Sequence, residues 1–195
     1  MKKFIALFVV VFALVSVQGA VAGEWMVDKS HTAVKFKVKH ILTNVWGEFT
    51  DYDAELNYDP ENPTESTIKV TVNVNSIDTG NEKRDGHLRS EDFFWAEKYP
   101  TMTFQSKKIT AVGKKQLKVL GDLTIRGVTK EIELMVEGPS DPINFMGTTK
   151  AAASAQAVIN RTDWGLTWNK ALEAGNLLVG EDVTIMIDAE LDKAE

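Results

Sequence analysis

No cysteine occurs among the 195 residues. Disulfide staples, thiolate nucleophiles, cysteine-ligated zinc and an acylated lipoprotein anchor are therefore excluded. Proline and glycine are sparse, at 5 and 13 residues, which rules out collagen-like and low-complexity classes. The three histidines, His31, His40 and His87, are the only side chains that ordinarily titrate near neutrality. None stands at His-x-His or His-x-x-x-His spacing, and no Gly-x-Ser-x-Gly elbow occurs. Neither a metal site nor a serine hydrolase triad has a motif behind it, and nothing calls for a cofactor. Bases are outnumbered, 22 Lys+Arg against 28 Asp+Glu. Such a chain repels phosphate backbones, so nucleic acid and anionic membrane surfaces are poor partners.

Long apolar runs are missing too, with one exception at the start. Lys2 and Lys3 precede an uncharged stretch from Phe4 to Val17, and the small triplet Ala20-Val21-Ala22 follows. The stretch is shorter than the roughly 20 residues a membrane-spanning helix needs. Residues 1–22 read as a secretory signal peptide cleaved before Gly23, leaving residues 23–195 as one exported, periplasmic domain without a membrane span. Cleavage removes two lysines and no acid, moving the net charge from −6 to −8. Without disulfides, the stability of this domain must come from its core.

What is present is a hydrophobic period of two along nearly the whole of that domain. Val34, Phe36 and Val38 alternate with Lys35, Lys37 and Lys39, a half-buried strand with a solvated lysine face. Tyr52, Ala54, Leu56 and Tyr58 form a second set, out of phase with Phe49, which predicts a bulge near Thr50 or Asp51. Ile68, Val70, Val72 and Val74 follow the turn at Asp59 to Pro63. After the aromatic segment before Pro100, strands resume at Thr101 to Phe104, at Leu117 to Ile125 and, past Arg126-Gly127, at Ile132 to Val136. Ala151, Ala153, Ala155, Ala157 and Ile159 share one face of the next strand, and Val183 to Leu191 closes the series. Ser90 as N-cap with Glu91 and Asp92 behind it predicts a short helix ending before Pro100.

The expected class is all-β, with about eight antiparallel strands and one or two short helices. Period alone leaves a sandwich and an up-and-down barrel both open. The alanine face, with Gly121 on a neighbouring strand, fills little volume and favours a barrel with an internal cavity. The densest ionisable segment, Arg84-Asp85-x-His87-Leu88-Arg89-Ser90, reads either as a hydrogen-bonded corner or as a polar rim. In the second case His87 with Asp85 or Asp92 is a candidate general base, giving the alternative of an enzyme on a lipid-like or small aromatic substrate.

Several segments in order carry a resemblance. They are Trp25-x-x-Asp28-x-x-His31, Val34-x-Phe36-x-Val38-x-His40, Gly47-x-Phe49, and the stretch from Arg84 through Phe93-Phe94. Lys98-Tyr99-Pro100-x-Met102-x-Phe104, Gly121-x-Leu123-Thr124-Ile125-x-Gly127-Val128-Thr129-Lys130 and Asn160-Arg161-x-Asp163-Trp164-Gly165 complete the set. Together they resemble the YceI-like family of polyisoprenoid-binding, lipocalin-like periplasmic proteins. The resemblance implies an eight-stranded antiparallel barrel, often dimeric, that binds a long isoprenoid or similar lipid and performs no catalysis. Trp95 stands where the family commonly has aspartate, and Trp164 where phenylalanine is usual. Either would alter ligand preference if it pointed into the pore.

Strand parity assigns the pore lining to Phe36, Val38, Val70, Val72, Phe104, Leu123, Ile125, Ala153 and Ala155. Arg84, Asp85, His87 and Arg161 are the candidates for a polar rim. Burial of methylenes at about 0.8 kcal/mol each would hold a lipid chain without a charged anchor.

Overall fold

The computed structural model describes residues 23–171 and 177–194; the expected signal peptide, residues 1–22, lies outside them. In chain order the strands are β1 (Gly23–Val27), β2 (Ala33–His40), β3 (Thr43–Phe49), β4 (Tyr52–Tyr58), β5 (Thr67–Asn73) and β6 (Ile77–Asp78). The helix α1 (Glu82–Arg89) follows, then β7 (Thr101–Gly113), β8 (Gln116–Ile125), β9 (Val128–Glu137), β10 (Ile143–Phe145), β11 (Thr148–Asn160) and β12 (Val179–Lys193).

All pairings are antiparallel, and β12 pairs with both β1 and β11, which closes a ring of eight strands: β1, β4, β5, β7, β8, β9, β11 and β12. The other segments prolong strands of that ring. β2 continues β1 along β12, pairing Ala33 with Asp188 and Val38 with Val183. β3 and β4 are one strand broken at Thr50-Asp51, where the phase change predicted a bulge. There Thr50 N–H donates to Ser76 and Asp51 C=O accepts from Asn73, so the break leaves these groups paired. β10 prolongs β9 along β11. The sandwich alternative is therefore excluded by closure.

The predicted helix is misplaced by the sequence reading. Ser90 does not start a helix; it ends α1, its N–H and its hydroxyl both donating to the His87 carbonyl. The true N-cap is Asn81, whose side chain accepts from Arg84 N–H at 3.0 Å. Its sequence, EKRDGHLR, has no apolar stripe to reveal it, and Glu91 and Asp92 fall in tight turns before Pro100.

The hairpins set the two ends of the barrel. At one end lie the β2–β3 turn, α1, the Arg126-Gly127 turn and the short 3-10 turn Arg161–Trp164 after β11. Arg126 and Gly127 both have positive φ, 52° and 75°, which suits a two-residue hairpin between paired Ile125 and Val128. At the other end, Trp25 packs with Ala151 and Leu191 and meets Tyr58 edge-on, ring centroids 5.6 Å apart. Between the ends, Phe104, Ile109, Leu117, Val119, Leu134 and Ala157 form a buried wall.

Candidate functional site

A cavity of about 740 Å³ runs through the barrel, lined from Tyr58, Thr67 and Pro139 at one end to Arg84, His87 and Trp168 at the other. The parity that makes each strand half-buried supplies its walls. β2 contributes Phe36 and Val38, β5 contributes Val70 and Val72, and β7 contributes Phe104. Leu123 and Ile125 come from β8, Ala153 and Ala155 from β11. All nine side chains expected to face a pore thus border one cavity, and its walls are almost wholly apolar.

The small residues act differently from expectation. Gly121 opens no space, because a Cβ there would lie 2.4 Å from Phe104 Cζ; the phenyl ring occupies the volume the glycine leaves. Ala151 and Ala157 are buried against Trp25 and Phe104 respectively, in the barrel's packed regions. Only Ala153 and Ala155 of that strand give their smallness to the cavity.

At the α1 end the cavity wall becomes polar. Arg84 and His87 line it from the helix, and Arg161 lines it from the turn after β11. His87 meets the Trp168 ring edge-on at 4.7 Å and the Phe93 ring at 5.1 Å, joining helix and turn. Arg84 is held by Thr79, its Nε donating to Oγ1 at 2.7 Å and its terminal nitrogen to the carbonyl at 2.8 Å. Arg161, 5% exposed, donates to the carbonyls of Gly180, Leu166 and Val179. Burial pulls its guanidinium below the ordinary value.

Asp85 is the exception among the rim candidates. It is 5% exposed and faces away from the cavity into the loop before α1, where its carboxylate accepts from Thr79 N–H at 3.0 Å and Thr79 hydroxyl at 2.5 Å. Its charge therefore fixes a loop and does not line a pore. His87 pairs instead with Asp92, Nε2 to Oδ2 at 2.8 Å.

A YceI-like domain profile matches residues 25–191. The chain belongs to the YceI-like family. Among its relatives, a UPF0312 protein of Staphylococcus aureus is 36% identical over 172 residues, covering 86% of this chain and 96% of that one. The crystal structure of a Campylobacter jejuni YceI protein shares 36% identity and superposes with a TM-score of 0.69, covering 86% and 96% of the two chains. A polyisoprenoid binding domain from Saccharophagus degradans, 17% identical, has the same fold with a TM-score of 0.61, over 87% of this chain and 98% of its own.

Neither departure from the usual YceI-like pattern reaches the cavity lining. Trp164 is buried in the core beside Leu166, and its indole N–H donates to Leu123 C=O at 3.1 Å, a bond phenylalanine could not make. Trp95 packs outside the barrel, where Tyr99, Lys98 and Arg126 gather round its ring.

One cluster was not legible in the sequence, because β1–β2 and β11–β12 bring it together from positions over a hundred residues apart. Lys150 Nζ lies 3.2 Å from Asp28, 2.7 Å from Glu190 and 2.7 Å from Asp192, and His31 Nδ1 lies 2.8 Å from Asp28 Oδ2. The hydrogen bond from His31, aided by Lys150, holds the Asp28 carboxyl far below its usual range. The same bond raises His31, and the Asp192 and Glu190 carboxylates raise Lys150. Asp28, His31 and Glu190 have the spacing of metal ligands, but the Lys150 ammonium already stands among them as their cation.

Proposed function

We propose that this YceI-like protein binds a long-chain isoprenoid or similar lipid within the barrel and carries or sequesters it in the periplasm, without catalysis. The observation that carries the proposal is the cavity: about 740 Å³ of space reaching both ends, with apolar walls. Water there has few polar partners and gains little by staying, whereas each methylene that replaces it contributes about 0.8 kcal/mol. Polyisoprenoid binding by the Saccharophagus degradans domain of the same fold agrees with that chemistry. Export rests on Lys2-Lys3, the apolar stretch and Ala20-Val21-Ala22; among the described residues no helix is long and apolar enough to cross a membrane.

Native mass spectrometry of the purified protein, followed by lipid extraction, tests this reading. A bound apolar chain released on unfolding is the expected result. A protein that comes off empty and takes up neither farnesol nor oleyl alcohol overturns it. The export step is read separately, by the N-terminal mass of protein from a periplasmic extract, expected to begin at Gly23.

A second reading has one observation in its favour, the hydrogen-bonded pair of His87 and Asp92 at the cavity's polar end. A base so placed can take a proton from water or a substrate hydroxyl. Hydrolysis of a long-chain ester that disappears in H87Q is the outcome this reading requires.

A further inference from the structure

Net charge argues against an anionic surface as a partner, but the charge is not spread evenly. No acid falls between His31 and Glu48, where Lys35, Lys37 and Lys39 stand. These lysines alternate with Phe36, Val38 and His40, which border the cavity, and so share the opposite face of β2. Lys35 touches the cavity's edge as well, yet it is exposed. Among the described residues, none of the three has a carboxylate at ion-pair distance, although six lysines elsewhere on the barrel do. Glu48, opposite Lys35, and Asp182 on β12 are the acids at the edge of this face; nearer the tip, Lys37 and Lys39 face Trp46 and Asn44. The tip itself is apolar. Ile41, Leu42 and Trp46 are exposed, and so is Leu177, next to the Leu178 whose carbonyl accepts from Ile41 N–H. Lys37 Nζ lies 5.5 Å from the Trp46 ring centroid, and Lys39 Nζ donates to Leu42 C=O at 2.9 Å. Exposed apolar residues scattered singly are ordinary, but a cluster of them rimmed by charge marks an interaction surface.

We propose that the β2–β3 hairpin docks the protein on a bilayer that contains acidic phospholipid, with Ile41, Leu42 and Trp46 entering the headgroup region and the lysines meeting lipid phosphates. Aliphatic side chains gain from burial at the boundary between headgroups and acyl chains, and tryptophan is at ease at that depth. Lysine stems follow an apolar surface while their ammonium groups stay among the phosphates. Attraction to an anionic leaflet fades within a Debye length, so a local patch of cations acts although the rest of the surface is acidic. The opposite end of the barrel has an exposed apolar tip too, Ile143, Phe145 and Met146, but the lysines there are spent on carboxylates: Lys115 on Asp141, Lys150 on Asp28, Glu190 and Asp192. A second copy of the chain fits the β2–β3 tip poorly, because a two-fold contact would set lysine against lysine. The inner faces of the same two strands carry Val38, His40 and Val45 into the cavity wall, so docking presents the cavity's polar end to the lipid. The proposal goes beyond chain binding, and the surface holds a vesicle or fails to whatever the cavity contains.

Co-flotation of the purified protein with vesicles tests the proposal, using phosphatidylcholine alone and phosphatidylcholine mixed with phosphatidylglycerol, at low and high salt. The protein is expected to bind the acidic vesicles at least about tenfold more tightly and to be released by salt. L42S/W46S should weaken that binding at least about tenfold. K37Q/K39Q should weaken it as much and leave little salt dependence, an effect that loss of structure at the tip would not give. Glutamine keeps an N–H donor for the Leu42 carbonyl, and thermal melting confirms that each variant is folded. F145S/M146S, at the opposite end, should bind like the wild type. No wild-type binding to the acidic vesicles, equal binding to the two kinds, binding unchanged in either β2–β3 variant, or binding lost in F145S/M146S overturns the proposal. A wild-type dimer that binds no vesicle and becomes monomeric in L42S/W46S also overturns it, and makes the tip a contact between copies. Uptake of farnesol or oleyl alcohol without vesicles decides the chain-binding reading separately.

Discussion

The Phe104 ring stands where a side chain on Gly121 would be, with Cζ 2.4 Å from the position of the missing Cβ. The Gln105 carbonyl, 2.6 Å from the same point, prevents escape by a simple ring rotation. We expect Gly121→Ala to destabilise the barrel by about 1–3 kcal/mol through overpacking. Phe104→Leu should recover part of that loss in the double variant, seen as a positive coupling in a denaturant-unfolding cycle. Additive losses would mean that the backbone contact, and not the ring, sets the need for glycine.

Ala155 offers the converse case. It faces Ile187 and Val136 across its two neighbouring strands, and its small side chain leaves the cavity open at mid-barrel. Ala155→Trp should fill that space and lower the affinity for oleyl alcohol at least about tenfold while far-UV circular dichroism stays that of the wild type. Unchanged affinity in the folded variant would place the bound chain elsewhere.

What the sequence made legible was everything governed by the period of two. The cavity-facing residues from Phe36 to Ala155 follow from alternation, since a strand's side chains have only two faces. Glycine and alanine resisted the same logic, because smallness at Gly121 serves a neighbour's ring and smallness at Ala153 serves the cavity, a distinction set by the strand alongside. Helix α1 has no apolar stripe to reveal it, and Ser90 with two acids behind it points to a helix that starts where α1 in fact ends. The cluster round Lys150 needed the barrel to close before it existed at all.

That cluster makes stability pH-dependent on both sides. His31, raised above its ordinary value of 6.5 chiefly by its hydrogen bond to Asp28, stabilises the fold fully below that value and ceases to do so as pH rises through its raised one. Asp28, lowered from 3.8, contributes above that value and loses its contribution as pH falls through the lowered one. Glu190, Asp192 and Lys150 complete the charged surroundings. The urea midpoint should therefore decline as pH rises from 6.5 through the raised value of His31, and His31→Gln should flatten the decline. A decline of equal slope in the variant would remove His31 as its cause.

Trp95 carries φ of 52°, a conformation in which aspartate, the usual YceI-like residue here, is far more at ease than tryptophan. Trp95→Asp would lose the cation–π contacts with Lys98 at 4.3 Å and Arg126 at 5.6 Å and place a carboxylate near the same two cations. These effects oppose each other, so stability should move by no more than about 1 kcal/mol. Farnesol affinity should not change, since the ring is outside the cavity. A shift in affinity would show that the turns before Pro100 control the cavity's polar end.

The β2–β3 hairpin breaks the usual turn chemistry more plainly. His40 pairs with Thr43, leaving Ile41 and Leu42 as a two-residue loop with positive φ at its first residue, a position that favours glycine. Ile41 has φ of 50°, strained for a β-branched side chain, and Leu42 is 84% exposed. Neither burial nor backbone preference explains these residues. Ile41→Asn keeps the N–H that donates to Leu178 C=O at 3.0 Å and relieves the strain, so it should raise stability by about 1 kcal/mol in denaturant unfolding. A loss instead would mean that Ile41 packs on the neighbouring Leu178 segment strongly enough to outweigh an unfavourable backbone, making the tip part of the wall at the cavity's polar end.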